Sequence, residues 1–502
     1  MSLFPPYPIG ARIPDSPHAV CCSLPTMKDV IGYEEEDPNV RKHVVTGYPR
    51  FVEHDYLRRL AKLVRLEWKL TGRAVSLAPS RRAAEGLQAF LAPAETNLGT
   101  WKTLYVVAFP DRPEHKRKAR RYFQHTGCGV SSRQAEDLLH ETGQLDAIHP
   151  ETAQEDNPRN SLMRSLHDAC PEANPEHILL ARSGMNAFYS AFTAARRLQQ
   201  PQGKNIWIQL GWLYLDTIRI LETFLSPKEH HIILPDAGDF APLEDLFSRD
   251  GSRIAGVITE TPTNPLLQTA DLARVRELCD RHGSLLFVDP SLSSFHNLDV
   301  YRHADVVLHS LTKYFGYEGD VMMGLAAFNP ARSEFAGHWL ELAREIHEPP
   351  YQRDILRLAA QAGTSGAIVE RINRNTGEVA AFLENHPAVK RVHWAGSAAT
   401  RTAYERLARG PGRPGGILTL DLNIPLADFY DAAPFVKGPS FGTRFTMMCP
   451  FMYLAHYDLV SSPEGRDRLR AHGIDPDLVR VSIGAEPAEE IIEGFQQSLG
   501  RV

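Results

Sequence analysis

The stretch LHSLTKYFGYEGDVMMG at 308–324 holds the group with most chemistry open to it, Lys313. A lysine directly behind a strand-like run can form a Schiff base with an aldehyde cofactor. Ser310 and Thr312, two positions apart, could reach a phosphate, and Tyr314 follows. Taken alone, SxTK reads equally well as an exposed loop lysine. Twenty-four residues upstream, SLLFVD at 284–289 ends in Asp289. Open α/β sheets bind ligands beyond the C-terminal ends of their strands, so a carboxylate there could pair with a protonated ring nitrogen. It could also simply cap the next helix. In ARSGMNAFYSAF at 181–192, Ser183, Gly184 and Met185 stand at the mouth of a helix. Free N–H groups and the helix dipole there suit a phosphate, or Ser183 is an ordinary N-cap.

These residues need a frame that brings strand ends together. Between 177 and 328, NIWIQL, HIILP, IAGVIT, SLLFVD and DVVLHS alternate with helical segments. DLARVRELCDRHG at 271–283, for example, puts Leu272, Val275 and Leu278 on one face and stops at glycine. Such alternation predicts an α/β unit, a mostly parallel sheet covered by helices. Within this alternating 177–328 region neither GxGxxG nor GxxxxGK[ST] occurs, so a nicotinamide or nucleoside triphosphate site is not supported there. Residues 352–385 read as a long helix ended by Pro387, followed by strand-like VKRVHW, GILTLDL and LVRVSI, a smaller α+β domain. Four regions result: a proline-rich extended arm at 1–54, a largely helical elaboration at 55–170, a large domain at 171–345 and a small domain at 346–502. The elaboration has one strand-like break, KTLYVVAF at 102–109, and a basic run, HKRKARR at 115–121, read as a solvated helix face or loop.

Composition narrows the partners. In 502 residues, 55 Lys and Arg stand against 61 Asp and Glu, a formal charge of −6, so nucleic acid is not the default partner. No stretch approaches the roughly 18 uncharged apolar residues that span a bilayer, and no membrane role is expected. The first twenty residues lack the basic and apolar regions of a signal peptide. Six scattered cysteines suggest neither a disulfide scaffold nor a metal site. A cytoplasmic protein is expected.

Taken together, the motifs resemble the cysteine and methionine metabolism family of pyridoxal-phosphate enzymes, which includes cystathionine γ-synthases and γ-lyases. ETPTNPLLQTADL at 260–272 resembles the family's ETPxNP segment, VDPS at 288–291 its VDNT, HSLTKY at 309–314 its HSxTKY, and SGM at 183–185 its phosphate segment. The resemblance implies Lys313 as the Schiff-base lysine and Asp289 as the ring-nitrogen partner, with Ser291 beside it. Asn264 would meet the ring hydroxyl, and Ser183, Gly184, Met185, Ser310 and Thr312 the phosphate. GWLYLDTIRIL at 211–221 matches YGGTYR in register through Tyr214, Thr217 and Arg219, implying that Tyr214 stacks on the ring and serves as acid and base. VRVSIG at 479–484 implies Arg480 as the carboxylate clamp, with the bidentate geometry that favours arginine there. Tyr48 and Arg50, in TGYPRF, match the arm motif that binds the phosphate in a neighbouring subunit. The resemblance therefore also implies a homo-oligomer with sites completed across a dimer, expected to be a tetramer, in the type I, aspartate-aminotransferase-like fold.

Departures fall on the substrate side. Leu215 and Asp216 replace a glycine pair, Gly316-Tyr317-Glu318-Gly319-Asp320 replaces GGHSD, and Ser440-Phe441-Gly442-Thr443 only echoes a serine loop, with Ser440 as the implied substrate contact. Tyr48 and Ser183 lie 135 positions apart, more than in compact relatives, and the arm context resembles the fungal type of cystathionine γ-synthase. The expected activity is γ-replacement on an O-acylhomoserine. A γ-lyase acting on an unusual γ-substituted amino acid of specialised metabolism is the alternative, and a non-catalytic relative the third reading.

Overall fold

A computed structural model describes residues 7–47, 52–151 and 157–500. Its centre is a seven-stranded sheet in the order Ile178–Ala181, Gly324–Phe328, Val306–Ser310, Leu285–Asp289, Ile254–Glu260, Ile206–Leu210, His230–Leu234. Only Gly324–Phe328 runs antiparallel to its neighbours. All seven residues of Ile254–Glu260 are buried, as expected of a strand covered on both faces.

Side-chain alternation sorts the strands between two helical layers. Leu286, Val288 and Val307 pack with Leu243, Val275 and Leu278 on one face. Leu285, Phe287, Val306 and Leu308 face the helix Gly184–Gln199 through Phe188 and Phe192. The same parity carries Glu260, Asp289 and Ser310, the last residues of three adjacent strands, toward that second face. The helix Leu272–His282 buries Leu272, Val275 and Leu278, starts on the Asp271 cap and ends at Gly283, whose φ of +62° suits glycine.

The 33-residue helix Gln352–Glu384 leads into a second sheet, ordered Val389–His393, Ile417–Leu422, Val479–Ser482, Met447–Cys449, Val436–Lys437. Arg480 lies on its central strand, opposite Thr419 and Cys449.

Two regions differ from the sequence expectation. The arm is not simply extended: Met27–Glu34 is a helix with a Thr26–Asp29 capping box, and Val30 and Tyr33 are buried with Phe429, Phe451 and Leu454 of the small domain. The elaboration has three strands where one was expected. Arg73–Ala78, Leu104–Pro110 and Asn97–Trp101 form an antiparallel sheet flanked by helices such as Asp55–Glu67 and Pro113–Thr126. The turn joining Trp101 to Leu104 carries Lys102 at φ +53°, where glycine or asparagine would have announced a hairpin. Among the described residues, no helix is long and apolar enough to cross a membrane.

Candidate active site

A cavity of about 590 Å³ opens where the strand ends, the small domain and the elaboration meet. The helix Gly184–Gln199 begins at its wall. The Ser183 hydroxyl accepts from the Asn186 N–H at 3.1 Å and donates to the Gly127 carbonyl at 3.0 Å, so it caps the helix and ties down the elaboration. Ser183, Gly184 and Met185 all line the cavity. N–H groups of a first helical turn have no intrahelical acceptor and attract anions. The packing there is close: a Cβ on Gly324 would lie 2.5 Å from the Gly184 nitrogen, which requires glycine, and one on Gly184 would stand 3.0 Å from the Ser310 Cβ, a tight contact.

Asp289 accepts the Ser291 N–H at 2.8 Å, and the Ser291 hydroxyl accepts the Ser310 N–H at 2.8 Å. Burial pushes the Asp289 carboxyl upward, while its bonds to Ser291 pull it back. Its register partner Glu260 is driven well above the carboxylate range by burial and then by Asp289. The Glu260 Oε1 accepts the Tyr214 N–H at 2.5 Å. Tyr214, half-buried before the helix Leu215–Phe224, also lines the cavity.

Lys313 follows the strand Val306–Ser310 and donates from Nζ to the Ser440 Oγ at 2.7 Å. Burial, then the Arg480 charge, lower its amine to about 7, so an uncharged, nucleophilic form is available near neutrality. The Phe441 ring centre lies 4.7 Å from the Lys313 Nζ and 5.1 Å from the Arg480 Cζ. Phe451 lies 4.8 Å from the same Cζ. Arg480 donates to the Asn264 Oδ1 at 3.2 Å and the Ser440 carbonyl at 3.3 Å. This closeness depends on Gly442, at φ +73°, whose Cβ would meet the Tyr314 nitrogen at 2.8 Å.

The expected residues thus share one cavity, with exceptions. The Thr312 hydroxyl turns away and exchanges hydrogen bonds with the Met323 backbone at 3.2 and 3.4 Å. Ser310 lines the cavity beside the helix start, and Thr312 does not. Ser440 does not itself line the cavity and meets it through Lys313 and Arg480. Tyr48 and Arg50 lie outside the described residues; their neighbours Gly47 and Val52 line the cavity. Arg219 pairs with Glu222 at 2.7 Å. Of the basic run, Lys116 and Arg120 reach the cavity.

Glu260, Phe441 and Phe451 were not singled out from sequence as site residues, and Asp216 only as a departure on the substrate side. Period-two counting along the paired strands would have found Glu260. Asp216, buried in the cavity wall, accepts from the Gln124 Nε2 at 2.9 Å and lies 3.3 Å from the His125 Nδ1, so the elaboration helps build the site. No local pattern announces that contact.

The donor set fits pyridoxal phosphate. The glycine-lined helix start would hold the phosphate, Asp289 the ring nitrogen, Asn264 the ring hydroxyl and the Lys313 amine the aldehyde carbon. Known proteins support the cofactor. The family model for Cys/Met metabolism PLP-dependent enzymes matches residues 155–500. An L-2-amino-4-chloropent-4-enoate dechlorinase/desaturase of Streptantibioticus cattleyicolor is 38% identical over 488 residues, 97% of each chain. The cystathionine gamma-synthase of Neurospora crassa is 27% identical, with 99% of this chain and 98% of that one covered. A solved cystathionine gamma synthase of Xanthomonas oryzae bound to aminoacrylate and cysteine shares the fold, with a TM-score of 0.57, 24% identity, and coverage of 69% of this chain and 86% of that chain. The chain belongs to the Cys/Met metabolism PLP-dependent enzymes, has the type I fold and uses pyridoxal phosphate.

Proposed function

We propose that this enzyme eliminates a compact, electronegative substituent, such as a halide, from the γ-carbon of an L-amino acid without a thiol acceptor. The observation that carries the reading is the aromatic wall at the substrate end, Phe441 against both Lys313 and Arg480 and Phe451 against Arg480. Such a wall excludes water and offers no hydrogen bond to a bulky polar acyl group. Likeness to a dechlorinase/desaturase along nearly the whole chain supports the same choice, since carbon 4 of its substrate is the γ-carbon. Sequence motifs alone favour γ-replacement and hold elimination second; the wall and this likeness reverse that order. Likeness to the Neurospora crassa synthase supports γ-replacement as the second reading.

Arg480 takes the substrate α-carboxylate as a bidentate pair, exchanging its bond to Asn264 for a stronger charged one. When bound, pyridoxal phosphate supplies an electron sink that acidifies the substrate Cα–H. The Lys313 Nζ, steered by the Ser440 Oγ, takes that proton. Tyr214, at the helix start beside Glu260, serves as acid and base toward the β-carbon and the departing group. The proton taken by Lys313 is returned to the carbon skeleton, so the net loss is one proton, from the β-carbon, and one γ-anion; the skeleton gains one unsaturation and no external oxidant is needed.

Products distinguish the readings. Holoenzyme given an O-acylhomoserine, with and without cysteine, is compared with holoenzyme given a γ-chloro L-amino acid. Elimination predicts turnover of the chloro compound that cysteine leaves unchanged. A thioether formed efficiently from the O-acylhomoserine only with cysteine would overturn it.

A further inference from the structure

We propose that Glu260 is a positioning residue for Tyr214, setting the tyrosine against the cofactor ring from the floor of the cavity. Tyr214 begins the helix Leu215–Phe224 without a side-chain cap, and its N–H is held by the Glu260 Oε1 at 2.5 Å. The base of that support is rigid. Glu260 ends the buried strand Ile254–Glu260, directly opposite Asp289 in the parallel ladder. Its second oxygen, Oε2, is buried without a hydrogen-bond partner among the described residues. A buried, unpaired anion next to a second carboxylate costs far more than a neutral acid. Asp289 faces Glu260 and raises its affinity for a proton; Arg480 also faces it and opposes this, but ranks behind both burial and Asp289. Two neighbouring carboxyl groups therefore divide the work. Asp289 carries the charge for the ring nitrogen, and Glu260 stays an uncharged acceptor for the Tyr214 backbone.

The test pairs Glu260→Gln with Glu260→Ala. Gln keeps an uncharged acceptor at Oε1; Ala removes it. Apo-protein of each variant is titrated with pyridoxal phosphate, and the visible circular dichroism of the bound cofactor reports its seating. Gln is expected to keep the affinity within about threefold and the wild-type spectrum, whereas Ala loses roughly tenfold, as for one lost hydrogen bond, with an altered spectrum. In a Tyr214→Ala background, Glu260→Ala should cost no further affinity. If the Ala variant does not fold, Glu260→Asp, one methylene short of the N–H, is expected to give the same loss. Gln as damaging as Ala, wild-type affinity and spectrum in the truncated variant, or full additivity with Tyr214→Ala would each overturn the assignment.

Discussion

The two ends of the cavity hold anions by opposite means. At the helix end, where we assign the cofactor phosphate, the donors are backbone N–H groups of Gly184 and Met185, and glycines let three chain segments nearly touch. The side chains nearest are turned to the fold, Ser183 to Asn186 and Gly127, Thr312 to Met323. At the substrate end the donor is a side chain, Arg480, which shares the Phe441 ring with the Lys313 amine. A resident anion that never leaves suits fixed, neutral dipoles. An exchanging carboxylate suits a side-chain charge, Arg480, while burial first and the Arg480 charge second lower the neighbouring lysine amine to about 7.

The sharpest break of this contrast is at Lys313. Lys313→Ala should lower turnover by about a thousandfold or more and leave protein whose colour is not fixed by borohydride. Arg480→Ala comes next. It should cut kcat/KM by roughly 10²–10³, chiefly through KM, as for one partner of a buried charge pair. Because the Arg480 charge helps to lower the Lys313 amine, the same variant should raise the pH at which apo-protein reacts with aldehydes above about 7. At the helix end, Gly184→Val should weaken cofactor binding about ten- to a hundredfold by overpacking against Ser310, with little change in KM. Ser183→Ala is the mildest, about 0.5–2 kcal/mol of stability for a lost N-cap, with cofactor affinity nearly kept. Loss of cofactor from that variant would erase the distinction between the ends.

The lysine also leaves a mark on stability. Its amine titrates near 7 in folded apo-protein, against an ordinary value of 10.5. Between those values the unfolded chain binds the extra proton, so the stability of apo-protein should rise with pH across that window. Urea midpoints at pH 7 and pH 9.5 measure this, and Lys313→Met should flatten the difference.

Much of the helix end was legible because its parts are contiguous: SGM, VDPS and HSLTKY are short motifs whose resemblance to the family's segments implies their roles. Asp289 could be read as the end of an apolar run, and the helix Leu272–His282 from its spacing and its glycine stop. The substrate end was legible only in its charges. That Phe441 packs against Lys313 and Arg480, and Phe451 against Arg480, is a tertiary fact across segments far apart in sequence. Thr312 stands apart: it lies in the turn after the strand, where its hydroxyl exchanges hydrogen bonds with the Met323 backbone. The arm's helix was masked by surrounding prolines, although Thr26 and Asp29 carry its capping signal. The strands Arg73–Ala78 and Asn97–Trp101 alternate too weakly to stand out and are fixed by pairing with Leu104–Pro110.

Chloride release from L-2-amino-4-chloropent-4-enoate by holoenzyme, followed without thiol, tests elimination most directly. Elimination predicts catalytic chloride release, one chloride for each molecule of a more unsaturated product, abolished in Lys313→Ala. No chloride above the cofactor-free background, from holoenzyme that turns over an O-acylhomoserine with cysteine, would contradict it.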